Sequence, residues 1–305
     1  MNSWRLAANA GAFVAAVLFG SSVVRVVVQE VPPLSLAVLR FGEAALLLVF
    51  VLMILRGREL LSVKWRELPL LALLGIVLFA VFPVTFNASL RLIEASRGAL
   101  LLATIPLWSA LLARIAGSER LSARQVVGVF LSLGGVGLAL AERGAAGQGG
   151  LGGLAGDGLM LVTALCGAAY AVLAQRAFVR YDALTVTTYA MALGTLFLFP
   201  AALVEGLVGV LPRLDLRTVA LLVFLGVFGG ALAFFLWTFA LTQLTPTQVA
   251  VYINLNPLVA MVLAAVLLAE HLTIVFAAGF GVVLAGVLLV NWPRRTGVAP
   301  LGRSH

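Results

Sequence analysis

Apolar residues in this chain come in long runs broken by short joints of charge, proline and glycine, a pattern that predicts helices rather than strands. A helix needs about 20 mostly apolar residues to cross the hydrocarbon core of a bilayer. Cut at its joints, the sequence yields ten such segments, at 8–28, 34–55, 68–90, 95–114, 122–141, 157–178, 184–205, 217–240, 246–269 and 272–292. The first is longer than the apolar region of a cleaved leader, roughly 7–15 residues, and is expected to be retained as a helix.

Composition supports the same fold class. Of the 305 residues 63% are hydrophobic and 10% charged, against about 45–50% apolar and 25% charged in a soluble domain, and the mean hydropathy is +1.14. That leaves too little polar surface to cover a water-soluble core of this size. The expectation is an all-α polytopic protein embedded in the lipid bilayer.

The net charge of +8 does not change this. Its basic residues lie in short separated clusters, not along one face, so no nucleic-acid surface is expected. They set topology instead, because Lys and Arg collect on the cytoplasmic side. With both termini inside, the cytoplasm receives Arg5, Arg56, Arg58, Lys64, Arg66, Arg114, Arg120, Arg124, Arg176, Arg180, Arg294, Arg295 and Arg303. The outside receives only Arg91, Arg97, Arg143, Arg213 and Arg217. The single cysteine, Cys166, lies in an apolar run and reads as a small packed thiol.

Sliding the sequence against itself exposes a duplication at a constant offset of 151. Pro106, Leu107, Glu119, Leu121, Gly128, Gly135 and Val136 meet Pro257, Leu258, Glu270, Leu272, Gly279, Gly286 and Val287, and Gly75 meets Gly226. Each copy holds five predicted spans. Because five is odd, the second copy must enter the membrane from the opposite side, giving two inverted five-helix repeats. The expected divisions are 1–141 for the first repeat, a Gly-rich linker at 142–156, 157–292 for the second repeat and a cytoplasmic tail at 293–305. The linker contains Gly147, Gly149 and Gly152 in dinucleotide-fingerprint spacing, but neither a strand nor a βαβ unit surrounds them, so they read as linker glycines.

The run GALLLATIPLWSALLA at 98–113, then GSERLSARQVVG at 117–128 and LGGV at 133–136, resembles the EamA domain of the drug/metabolite transporter superfamily. NPLVA at 256–260 and AEHLT at 269–273, with Gly279 and Gly286, resemble a second EamA copy, and Leu39, Arg40 and Phe41 are similar to the family's second-helix signature. The resemblance covers essentially the whole chain. It implies ten helices in two inverted repeats and export of small metabolites across a bacterial-type inner membrane, in the manner of exporters of aromatic and other neutral amino acids. Two departures stand out: His271 replaces Arg120 in the second copy, and the polar residues of the ninth segment have no counterpart in the fourth.

Those polar residues are the first candidates for solute contact. Gln248, Tyr252 and Asn256 stand at i, i+4 and i+8, one stripe on an α-helix, while Asn254 falls on another face and is a candidate for gluing helices together. Polar groups facing lipid cost several kcal/mol, so the stripe should look into the protein. Asn87, Thr104, Trp108, Tyr170, Tyr189, Trp237 and Thr238 lie at membrane depth and are candidates to converge with it, with core packing as the alternative for each aromatic. Pro106 and Pro257 are hinge candidates or static kinks. Glu119 with Ser122, and Glu270 with Thr273, read as capped joints between helices. Arg25, Arg40 and Glu43 fall inside spans, and Arg40 and Glu43, three apart on one face, can pair or serve coupling.

An intramembrane enzyme is disfavoured, since His271 and His305 are the only histidines and no metalloprotease or nucleophile-elbow motif is present. No ATP-binding loop, cofactor or metal site is expected, and no obligate protein partner. The expected partner is a small-molecule substrate. A passive channel and the transport of drugs or other metabolites remain open alternatives.

Overall fold

The computed structural model describes residues 3–18, 23–24, 27–57, 63–93, 95–119, 121–140, 151–256, 258–259 and 274–292. Every element among them is helical: α1 Ser3–Leu18, α2 Pro33–Arg56, α3 Trp65–Leu92, α4 Ala95–Leu102, α5 Ile105–Ile115, α6 Ala123–Leu140, α7 Leu151–Ala177, α8 Ala183–Glu205, α9 Leu216–Gln243, α10 Pro246–Ala250 and α11 Ile274–Asn291. Five are long and apolar enough to cross a membrane, namely α2, α3, α7, α8 and α9. Shorter apolar helices occupy Ser3–Leu18, Leu100–Ile115, Ala123–Leu138 and Ala277–Asn291.

The side chains sort as a membrane solvent requires. Large apolar residues such as Leu46, Phe50, Leu196, Phe197 and Val204 point outward, whereas Ala8, Ala12, Ala171, Ala174, Ala190 and Ala240 are wholly or almost wholly buried between helices. Between helices in lipid there is no hydrophobic drive, so close approach through small residues carries the packing.

Of the first expected span, 8–28, the structure describes 8–18 as part of α1 and Val23, Val24 and Val27 as helical. The fourth divides, because α4 stops at Leu102 and α5 restarts with Pro106 in its first turn. The Thr104 hydroxyl donates to the Leu101 carbonyl at 2.6 Å. Proline, which lacks an N–H, belongs at a helix start, and Pro106 stands in the first turn of α5 directly after the break at Ala103 and Thr104. Pro257, the other hinge candidate, lies outside the described residues. In the expected linker, residues 151–156 are already helical, since Gly156 packs under Ile93 and its carbonyl accepts from Ser89 Oγ at 2.7 Å.

Helix boundaries repeat at the sequence offset of 151. The described residues of α6, Ala123–Leu140, and those of α11, Ile274–Asn291, correspond at this offset. In α3 the helix widens to a π turn at Ile76–Val81 before resuming at Phe82–Leu92, and α9 widens at Val227–Leu232 before resuming at Ala233–Gln243. In α3 and α9 each of these bounds differs from its counterpart by 151.

Equivalent helices also pack against each other and run antiparallel. Gly128 of α6 meets the Gly286 carbonyl of α11, Gly135 meets the Gly279 carbonyl, and Arg124 Nη2 donates to the Trp292 carbonyl at 2.7 Å. In α2 and α8, the carboxylate of Glu205 at the end of α8 caps the start of α2, accepting from Ser35 N at 2.7 Å and Ser35 Oγ at 2.9 Å, while Arg56 at the end of α2 pairs with Asp182, the N-cap of α8. Not every glycine serves this packing: a Cβ on Gly134, Gly137 or Gly281 would meet nothing within 4 Å.

Candidate functional site

Helix α10 starts where the two halves of the chain are tied together. Thr245 is its N-cap, accepting from Gln248 N at 3.4 Å, and Gln248 Oε1 accepts from Thr245 N at 3.2 Å, a complete capping box. Beneath it lies the joint between α5 and α6, where Gly117, with φ of 67°, turns the chain and presents Glu119. The Glu119 carboxylate, 6% exposed, accepts from the hydroxyls of Thr245 and Thr247, both at 2.8 Å, from Thr247 N at 3.4 Å and from Gln125 Nε2 at 3.3 Å. Gln125 Oε1 in turn accepts from Ser122 N at 3.0 Å. Glu270, Thr273 and His271 lie outside the described residues.

This arrangement corrects the expected stripe. Gln248 is committed to the cap, and the chain tightens into a 3₁₀ turn over Val251–Leu255. At three residues per turn, side chains four apart no longer share a face. Tyr252 and Asn256 nevertheless converge on one element, α1: Tyr252 Oη donates to Asn9 Oδ1 at 2.7 Å, and Asn256 Nδ2 donates to the Ala16 carbonyl at 3.2 Å. Asn9 also reaches back to the Arg5 carbonyl at 2.7 Å. Asn254 points elsewhere, wholly buried, its Nδ2 donating to Ser132 Oγ of α6 at 2.8 Å. Asn9 was not singled out in the sequence; its signal is the one amide side chain in the first predicted span, 8–28.

A second group sits around the π turn of α3. The Tyr170 hydroxyl and Thr238 Oγ1 lie 3.1 Å apart, and both residues are fully buried. Phe79 packs edge-on against Phe41, Phe234 and Tyr170 with ring centroids 5.5, 5.2 and 6.3 Å apart. Trp237, 5% exposed, belongs to the same core. Tyr170 and Trp237 are therefore held inside the packed aromatic centre of the molecule. Tyr189 is half-buried at its margin. Trp108 packs in a smaller cluster with Ile105, Ala164, Ala168 and Ala250, and its buried indole N–H meets no acceptor among the described residues. Asn87, 2% exposed, donates to the Pro33 carbonyl at 3.0 Å and fixes the entry of α2.

The third group is charged. Arg40 of α2 is 7% exposed, and its Nη2 donates to the Gly229 carbonyl in the π turn of α9 at 2.7 Å. Its guanidinium also lies 5.0 Å from the Phe41 ring centroid. Glu43, one turn along and half-buried, lies against Gly226. The expected Arg40–Glu43 pair is absent from the ion pairs of the described residues, because each side chain addresses a different level of α9. Arg25 lies outside the described residues. The structure thus gathers part of the sequence-derived candidates into three groups, the Tyr252–Asn256 turn, the aromatic centre and the Arg40–Glu43 face, each of which borders α9 or α1, and leaves the side chains of Asn87, Thr104, Trp108 and Asn254 outside them.

The model of the EamA-like transporter family matches residues 6–141 and 154–292. An uncharacterized transporter of Archaeoglobus fulgidus is 33% identical over 88% of this chain and 91% of its own length. A protein of Streptantibioticus cattleyicolor named "Probable terminal-alkyne amino-acid exporter" is 29% identical over 76% of this chain and 75% of its own. An uncharacterized inner membrane transporter of Escherichia coli strain K12 is 26% identical, covering 93% and 92%. A crystal structure at 20% identity shares the fold with a TM-score of 0.75, covering 92% of this chain and 95% of the other.

Proposed function

Because the chain belongs to the EamA-like transporter family, a multi-pass membrane family of small-molecule transporters, we propose that it is a secondary transporter exporting aromatic or other neutral amino acids. It works by alternating access between two inverted five-helix repeats, 1–141 and 157–292, with ten spans and both termini in the cytoplasm. The observation that carries this reading is the exchange of equivalent contacts: Gly128 meets Gly286, and Gly135 meets Gly279, while 128 maps onto 279 and 135 onto 286 at the offset of 151. Such an exchange is what a two-fold axis in the membrane plane produces, and a solute site lies on that axis at the midplane. The clustering of thirteen basic residues on one side supports the orientation. The relative named as an amino-acid exporter supports the substrate class.

The solute is contacted by the Tyr252–Asn256 turn, with α1 as the wall it faces. The test is counterflow in proteoliposomes with a panel of radiolabelled amino acids, with and without an imposed pH gradient. Uptake of a neutral or aromatic amino acid that falls at least severalfold in Asn256→Ala is expected. Absence of uptake for every amino acid would remove the substrate class and leave drugs or other metabolites.

A further inference from the structure

The same helix crossing is built twice in this molecule, and only one copy is charged. In the first, Gly75 of α3 lies directly on the backbone of Ala190 and Gly194 of α8, where a Cβ on Gly194 would sit 2.7 Å from the Gly75 carbonyl carbon and 2.8 Å from Phe79 Cβ. At the offset of 151, Gly226 of α9 takes the place of Gly75, and Glu43 of α2 takes the place of Gly194. There a Cβ on Gly226 would sit 2.5 Å from Glu43 Oε2 and 2.7 Å from its Cδ. Arg40 likewise stands where the other half has the fully buried Met191.

Packing alone does not ask for a carboxylate at this place, because the other copy closes the crossing with glycine. Nor does an ion pair within the described residues account for it. Among the described residues Glu43 has no hydrogen-bond or ion-pair partner. Arg40, the cation nearest in sequence, donates to the Gly229 carbonyl, and the carboxylate of Glu43 lies over Gly226 of α9, which offers it no side chain. The crossing lies beside the π turn Val227–Leu232. Widened turns of this kind disturb the regular hydrogen-bond ladder and are frequent at functional sites. An ionisable group in a span is expensive to keep there, and a carboxylate in a poorly screened site attracts a positive charge strongly.

We infer that Glu43, at the crossing of α2 and α9, is the docking point for a monovalent cation, either the ammonium group of the solute or an inorganic cation moved with it. The inference rests on the transport reading only for the source of that cation. Gly226 leaves the space, Glu43 supplies the charge, and Arg40 holds the π turn in place through the Gly229 carbonyl.

The test does not require transport. Full-length protein in nanodiscs is treated with dicyclohexylcarbodiimide, to whose C=N bond a membrane-embedded carboxyl adds without a leaving group, and Glu43 labelling is followed by peptide mass spectrometry. Glu43→Gln gives the background. Labelling of Glu43 is expected to slow about tenfold with a cation present at about ten times its dissociation constant. Protection by methylammonium and by amino acids, but not by sodium or potassium, assigns the site to the solute's ammonium; protection by sodium or potassium alone assigns it to a coupling ion. A Glu43 that is unlabelled, or labelled at one rate with every cation, overturns the inference. Protection without counterflow of any amino acid would instead keep the cation site and sink the amino-acid transport reading. Gly226→Ala, whose Cβ displaces Oε2, is expected to remove the protection while Gly134→Ala keeps it.

Discussion

Glu119 and Thr247 are joined by a 2.8 Å hydrogen bond although they lie 128 residues apart in the chain. The bond fastens the α5–α6 joint of one half to the first turn of α10 in the other. Thr245, Thr247 and Gln125 all direct donors at this one carboxylate, so its removal strands several buried groups at once. Leaving buried donors unpaired costs about 1–3 kcal/mol each before relaxation. Glu119→Ala is expected to lower the unfolding free energy by about 2–3 kcal/mol, measured by denaturant titration of the purified protein. Glu119→Gln, which keeps an acceptor oxygen, should lose less. Equal stability of Glu119→Ala and the parent would show that the clasp contributes nothing.

Glycines that look alike in sequence should answer differently to alanine. A Cβ at Gly75 or Gly194 runs into the backbone of the other helix, whereas one at Gly134 meets nothing within 4 Å. Gly75→Ala and Gly194→Ala must push α3 and α8 apart, at about 1–3 kcal/mol for overpacking. Gly134→Ala should be neutral or stabilising by about 0.5–1 kcal/mol, because glycine in a helix interior loses more chain entropy. Side-by-side unfolding of the three variants decides the matter, and a destabilised Gly134→Ala would contradict the packing described.

The contrast shows what a sequence of this kind exposes. Spans, basic clusters and the offset of 151 are local or periodic, and Gly135 and Gly286 were visible as repeats of each other. Whether a glycine faces a partner helix or lipid is not periodic, so Gly134 could not be told from Gly135. The stripe of Gln248, Tyr252 and Asn256 assumed an unbroken α-helix, and the 3₁₀ turn at Val251–Leu255 undid it. Asn9 stayed hidden because its partner Tyr252 is 243 residues away. Glu43 was visible as a charge in a span, yet its place opposite Gly226 depends on how α2 crosses α9.

Asn254 and Ser132 make a separable test of glue against lining. Asn254 is wholly buried, and its amide donates to Ser132 Oγ at 2.8 Å. Asn254→Ala opens a small void and removes the donor to Ser132 Oγ, whose hydroxyl keeps its bond to the Val129 carbonyl at 2.9 Å, and is expected to cost about 1–3 kcal/mol of stability. Amino-acid counterflow per folded molecule should be unchanged. Loss of counterflow without loss of stability would place Asn254 in the solute path.

Asn9 and Tyr252 should couple to the transport cycle itself. Their bond ties α1 to the 3₁₀ turn on the side where α1 begins, while Asn256 ties the turn to the Ala16 carbonyl farther along. At the offset of 151 the same two places are held by Met160 and Leu101, which share an apolar cluster. One face of the molecule is thus latched by a polar bond and the other by apolar contact. If alternating access separates α1 from the turn, the bond favours only the state in which it is made, and a ligand or mutation shifts such an equilibrium by its differential free energy. A bond worth about 1 kcal/mol shifts the populations about fivefold. Tyr252→Phe and Asn9→Ala should each produce that shift, read as a change in the distribution of distances between spin labels on α1 and on α10, which leads directly into the turn. The double variant should do no more than either single one, because both remove the same bond. Additive shifts would mean that the two side chains act separately, and unchanged distributions would mean that α1 and the turn stay together throughout the cycle.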